Sequence, residues 1–117
     1  MERCIKNLNK SICHPEEIIV VDNAPSNDET RNVVAKFRNV TYIKEPKKGL
    51  DNARNAGIKK ANFSIVAFTD DDVMVHRLWV YEVWNTFTDV NIAAMTGLVI
   101  ASELKSKSQY LFEKYWS

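Results

Sequence analysis

Apolar positions fall in short runs whose period switches along the chain, and the switching predicts helix and strand in turn. Residues 2–11 carry Ile5 and Leu8 on one side of a short helix, and Pro15 breaks the chain after it. Glu17–Asp22 (EIIVVD) is a compact, β-branched run, the pattern of a strand covered on both faces of a parallel sheet. Loop chemistry occupies 23–28, where Ser26 and Glu29 have capping-box spacing. Thr30, Val33, Val34 and Phe37 then share one helical face. A second strand is expected at Val40–Lys44, a turn at 46–49 and a helix at 50–61. Phe63–Thr69 (FSIVAFT) predicts a third strand that runs straight into Asp70, Asp71 and Asp72. A helix over 77–87 presents Val80, Val83, Trp84 and Phe87. Asn91–Ile100, with Gly97 inside it, predicts a fourth strand, and 103–115 a last helix with Leu104, Ser108, Leu111 and Tyr115 on one side. Strands alternating with helices imply an α/β fold with a mainly parallel sheet and right-handed crossovers.

Size and charge narrow the function. The 117 residues allow one domain, and 45% hydrophobic with 26% charged residues is the mix of a folded globular chain. A net charge of +1 provides no field for gathering nucleic acid. No apolar run approaches the roughly 20 residues that span a bilayer, and the charged N-terminus lacks the core of a signal peptide. A cytoplasmic location, or one peripheral to the membrane, is expected. Cys4 and Cys13 read as reduced structural residues, and two histidines without a Cys-x-x-Cys pair argue against zinc.

In parallel sheets, ligands bind beyond the carboxyl ends of the strands. Two acidic features sit at such ends: Asp22, and the triplet Asp70, Asp71 and Asp72. Two like charges about 4 Å apart repel by about 4 kcal/mol at an effective dielectric of about 20. A solvated, helix-capping turn relieves this, and so does a hard divalent cation such as Mg²⁺ or Mn²⁺. Residues i and i+2 converge in an extended turn, so Asp70 and Asp72 are the favoured pair. Asp22 is either a turn former or an acceptor for a base or sugar. On the 50–61 helix, Arg54 falls within the stripe formed by Leu50, Ala53, Gly57, Ile58 and Ala61. A guanidinium there requires an anion, either one of the aspartates or a phosphate. Trp79, Trp84 and Trp116 read as core or sheet-covering residues, with Trp79 and Trp116 also suited to a surface. His76 reads as a loop histidine.

Four ordered segments carry a family likeness: Glu17–Ser26 (EIIVVDNAPS), Gly49–Ile58 (GLDNARNAGI), Ile65–Val73 (IVAFTDDDV) and Met95–Val99 (MTGLV). Together they resemble glycosyltransferase family 2, with its GT-A fold. The resemblance implies a nucleoside-diphosphate sugar as donor and a saccharide, lipid or protein as acceptor. Asp22 and Asn23 would lie at the nucleotide, with Asp22 bonded to the base, and Arg54 and Asn55 belong to the donor-pocket segment. Asp70-Asp71-Asp72 fits the Asp-x-Asp motif. Asp72 would hold Mn²⁺ or Mg²⁺ on the diphosphate together with Asp70, Asp70 would lie close to the ribose or sugar, and Asp71 would count among the donor-binding residues.

The resemblance also implies a strand ahead of the first helix and an acceptor half beyond residue 117. The chain is therefore expected to be a single partial domain over 1–117, incomplete for catalysis and without the acidic general base. Strands 17–22 and 64–69 would flank the absent strand, so exposed edges and self-association are expected. A non-catalytic interaction module with the same sheet is the competing reading. A phosphoacceptor receiver domain lacks its late lysine here, and a nucleotidyltransferase lacks its Gly-rich loop.

Overall fold

The computed structural model describes residues 1–116; Ser117 and the side chain of Trp116, which the sequence assigned to core or surface, lie outside the described residues. The helices are α1 (Glu2–Leu8), α2 (Glu29–Val34), α3 (Leu50–Lys60), α4 (Trp79–Thr86) and α5 (Lys107–Trp116), and the strands are β1 (Ile18–Asn23) and β2 (Val40–Glu45). The strands pair in parallel, from Ile18 opposite Val40 to Asn23 opposite Glu45.

Side chains alternate across a strand, so this register sorts the sheet into two faces. Ile18 and Val40 lie on one face, where Cys4 and Leu8 of α1 pack with them and with Trp79 and Val80 of α4. Val21 lies on the other face, against Gly57 of α3, where an added Cβ would stand 3.4 Å from Val21 Cγ2. The small residue at 57 thus lets α3 approach the sheet closely, and helices cover both faces as a parallel sheet requires. Long-range hydrogen bonds lock the layers. The Ile12 amide donates to Arg77 O at 2.9 Å, and Asn62 donates its amide and Nδ2 to the two oxygens of Glu17 at 3.1 and 2.8 Å.

Several sequence expectations shift. The capping box does not form: Asp28 occupies the N-cap without a side-chain bond, and Asn27 Oδ1 accepts from the Glu29 amide at 3.0 Å instead. The first helix ends at Leu8 rather than residue 11, because Lys10 and Ser11 bond back to Asn7 and Leu8 in tighter turns. Trp79 joins the core, whereas Trp84, expected on the apolar face of its helix, is exposed and tilts against Tyr81 with ring centroids 6.1 Å apart.

The largest correction concerns the third and fourth strands. Neither 63–69 nor 91–100 enters a ladder, and the described sheet has two strands. An apolar run becomes a strand only when a neighbour takes up its backbone N–H and C=O groups. β1 spends one edge on β2, its other edge is unpaired, and 63–69 does not join it. Phe63 and Phe68 are consequently about half exposed, and Leu98 is 91% exposed.

The core is accordingly small. Cys4, Ile5, Leu8, Ile18 and Val34 are its buried apolar residues. The radius of gyration is 15.7 Å, against about 13 Å for a compact chain of this length. The accessible surface is 9228 Å²; a folded monomer of this mass exposes about 6,500 Å².

Candidate functional site

β1 and β2 end side by side at Asn23 and Glu45, and the space beyond them is where a parallel α/β sheet receives ligands. The chain leaves β1 through a left-handed residue, Ala24, with φ 49°. That conformation is unfavourable for a residue with a Cβ. It is held by the Ala24 amide donating to Glu45 O at 2.7 Å.

Asn23 is the organiser of this corner. Its Nδ2 donates to Lys47 O at 2.8 Å and to Glu45 O at 3.3 Å, while its Oδ1 accepts from the Gly49 amide at 2.9 Å. All three partners lie on the 45–49 turn, so one side chain fixes the path from β2 into α3. Gly49 sits at φ 135°, a region that a side chain would strain, and it forms the N-cap of α3. Asn52 Nδ2 closes the turn on Lys48 O at 3.0 Å.

Asp22 lies one residue earlier and points to the opposite face. Its Oδ2 accepts from Tyr42 Oη at 2.9 Å. Tyr42 pairs with Val20 in the register, so it shares the face of Asp22 on the neighbouring strand. Burial, then the bond to Asp22, raises the tyrosine hydroxyl above the ordinary phenol value. Sequence reasoning missed Tyr42. Its only signal was its place in β2, and that becomes informative only with the register known.

Arg54 departs from expectation. It is exposed rather than set in a buried stripe; the side of α3 that turns inward carries Ala53, Ala56 and Gly57. Its guanidinium stands 5.8 Å over the Phe68 ring, a cation–π arrangement, and it forms no ion pair among the described residues. Asn55 is also exposed, and borders an open groove of about 540 Å³ with Ile43, Glu45, Lys47, Asn52 and Ala56.

Asp70, Asp71 and Asp72 form an exposed turn beside α1. Cys4 Sγ donates to Asp70 O at 3.6 Å, and Asp71 Oδ2 lies 3.5 Å from the Met1 amine. Burial in the core raises the Cys4 thiol above its usual value, opposed by the nearby amine and reinforced by Asp71 and Asp72. Among the described residues, no three Asp, Glu, His or Cys side chains gather into a metal-binding group. By donor type the triplet suits a hard cation, since carboxylates supply oxygen ligands alone. The predicted residues thus fall into separate groups: Asp22 with Tyr42, Asn23 with the 45–49 turn, Arg54 with Phe68, and the triplet with α1. Among the described residues, no side-chain hydrogen bond or ion pair joins one group to another.

A helix-covered parallel sheet with polar side chains at its carboxyl ends is a small α/β architecture of the Rossmann-like kind. The comparisons with known proteins give the class a family. The family model described as "Glycosyl transferase family 2" matches residues 1–116, and the chain belongs to that family. The chain is 30% identical to poly(ribitol-phosphate) beta-N-acetylglucosaminyltransferase TarP of Staphylococcus aureus (strain N315), covering 85% of this chain and 32% of that protein. It is 28% identical to glycosyltransferase AglE of Haloferax volcanii, over 85% and 34% respectively. It is 27% identical to O-antigen chain rhamnosyltransferase WbaN of Salmonella anatum, over 75% and 29%. The chain therefore spans about a third of the length of these curated relatives. No solved structure matches. Among the described residues, no helix is long and apolar enough to cross a membrane.

Proposed function

We propose that residues 1–117 form a single partial GT-A domain, the donor-binding portion of a family 2 glycosyltransferase, which takes a nucleoside-diphosphate sugar. The observation that carries this reading is the family match along nearly the whole chain, combined with a carboxylate, Asp22, at the carboxyl end of β1. Asp22 accepts a hydrogen bond from the base. Asn23 keeps the 45–49 turn in place and so sets where α3 begins. Arg54 and Asn55, on the first half of α3, supply a cation and an amide to the donor. Asp70 faces the ribose or sugar.

Asp72, with Asp70, holds a divalent cation, Mn²⁺ or Mg²⁺. That ion supplies Lewis-acid neutralisation of the charge that grows on the leaving diphosphate. The relatives' names mention different sugars and acceptors, so the shared element carried over is the activated donor, with a saccharide, lipid or protein as acceptor. The general base belongs to the acceptor half, and the 117 residues alone do not turn over.

Calorimetric titration of the chain with the uridine, thymidine, guanosine and cytidine diphosphates, with and without Mn²⁺, tests this. At least one should bind at micromolar concentration, and tenfold or more tighter with the metal. No binding of any of the four at millimolar concentration with Mn²⁺ would overturn the reading, and sugar transfer by the chain alone would overturn its incompleteness.

The exposed surface supports a second element of the proposal. About 2,700 Å² lies open beyond what a monomer of this mass shows; Ile65, Val66 and Phe68 are exposed, and β1 has an unpaired edge. Such an edge invites strand addition. The chain therefore associates through β1 and 63–69, with a further strand or a second copy. Amide exchange across 63–69 should be fast in a dilute monomer and slow as concentration rises. Full protection in the dilute monomer would refute this.

A further inference from the structure

The best-defined side-chain contact at the proposed base site lies outside the family segments. Tyr42 Oη donates to Asp22 Oδ2 at 2.9 Å. The two meet because Tyr42 is the partner of Val20, and Asp22 follows Val20 by two residues on the same face. An ionised carboxylate offers about four lone-pair sites, two on each oxygen. The hydroxyl takes one of the two sites on Oδ2. Oδ1 has no hydrogen-bond partner among the described residues. The carboxylate therefore presents one oxygen with both sites open, Oδ1, and a second that already holds a hydrogen bond.

Nucleobases differ in what they ask of such a group. Guanine carries adjacent N1–H and N2–H donors and engages both oxygens of a carboxylate. Uracil and thymine carry a lone N3–H between two carbonyls and need one oxygen. Cytosine and adenine set a ring-nitrogen lone pair beside their amino donor, and that lone pair would face the anion. We propose that Tyr42 is a specificity-determining residue. By occupying Oδ2 it restricts Asp22 to a base with a single imide N–H, which makes the donor a uridine or thymidine diphosphate sugar. This rests on the proposal that Asp22 meets the base, and it adds a second side chain to that contact.

The test compares UDP and GDP affinities, with Mn²⁺ present, for wild type, Tyr42→Phe, Asp22→Asn and the double variant. Phenylalanine keeps the ring and its packing; the amide spectra of β1 and β2 check the fold. Wild type should favour UDP over GDP by tenfold or more, and Tyr42→Phe should shrink that preference by about tenfold, because it reopens Oδ2. In the Asp22→Asn background the tyrosine should no longer matter, giving a non-additive cycle. A merely structural tyrosine would weaken both ligands alike.

An unchanged UDP:GDP ratio in Tyr42→Phe, or a wild-type preference for GDP, would overturn the assignment while leaving donor binding intact. An equal shift in the Asp22→Asn background would do the same. UDP binding that is indifferent to Asp22→Asn would instead sink the base contact itself.

Discussion

Asp72→Asn is expected to weaken UDP binding in Mn²⁺ by about two orders of magnitude, equivalent to about 3 kcal/mol, and to leave uridine binding within a factor of two. The reasoning starts from electrostatics. Three consecutive carboxylates in one turn repel, and in the proposed role a divalent ion would relieve that repulsion. If Asp72 holds the ion as proposed, replacing it by an amide would remove a full negative charge from the ion's surroundings and so weaken the hold on the diphosphate. Uridine lacks the diphosphate and does not report on the ion. Asp71→Asn provides the contrast. Its carboxylate is 77% exposed and leans on the Met1 amine, so its loss should change UDP affinity by no more than about threefold, as for exposed ion pairs. Calorimetry on the three proteins, with UDP and uridine, checks both statements. Equal affinity of wild type and Asp72→Asn for UDP at saturating Mn²⁺ would remove the triplet from the donor site.

The elements that the chain announced are those whose evidence is local. The β-branched runs expected at 17–22 and 40–44 are β1 and β2 to within a residue at each end, since each carries its own apolar period and is bounded by turn residues. α3 likewise fills the expected 50–61 span less one residue, started by Gly49 where only glycine is comfortable. What failed depends on partners. Phe63–Thr69 is an apolar run as β1 is, yet its composition says nothing about which edge is free to receive it. Helical angle alone sets Arg54 within the stripe of Leu50, Ala53, Gly57, Ile58 and Ala61, but the face that meets the sheet is centred on Ala53, Ala56 and Gly57, with Leu50 and Ile58 exposed. That placement turns Arg54 outward, over Phe68. The site shows the same division. Asp22 and the triplet stand out as acids at the ends of apolar runs. Tyr42 could not, because its bond to Asp22 is fixed by a register between segments 20 residues apart. Asn23 was read as a nucleotide residue, and the structure gives its amide three backbone partners on the turn into α3.

Ile5→Ala is expected to leave the chain largely unfolded near 40 °C. Ile5 is 2% exposed in a core whose other buried apolar residues are Cys4, Leu8, Ile18 and Val34. Trimming a buried isoleucine to alanine costs about 2–5 kcal/mol, the transfer of the lost methylenes plus the cavity left behind. A complete domain of ordinary size has about 5–15 kcal/mol to lose. This one buries little, as its large accessible surface records, and belongs at the bottom of that range. Each kcal/mol moves the midpoint of a chain of this size by roughly 4 °C, so the variant should melt about 8–20 °C lower. The mechanism is specific to α1. Its one buried face holds Cys4, Ile5 and Leu8, and the same helix backs the acidic turn through the Cys4–Asp70 contact. Loss of α1 packing should therefore release 70–72 as well, and Mn²⁺-dependent UDP binding should fall with the melt rather than after it. Val90→Ala, at a residue 94% exposed, should shift the midpoint by no more than about 2 °C, the range of surface substitutions. Thermal melts followed by far-ultraviolet circular dichroism, with UDP affinity measured across the same temperatures, decide it. An Ile5→Ala midpoint within 3 °C of wild type would show that α1 does not anchor the fold.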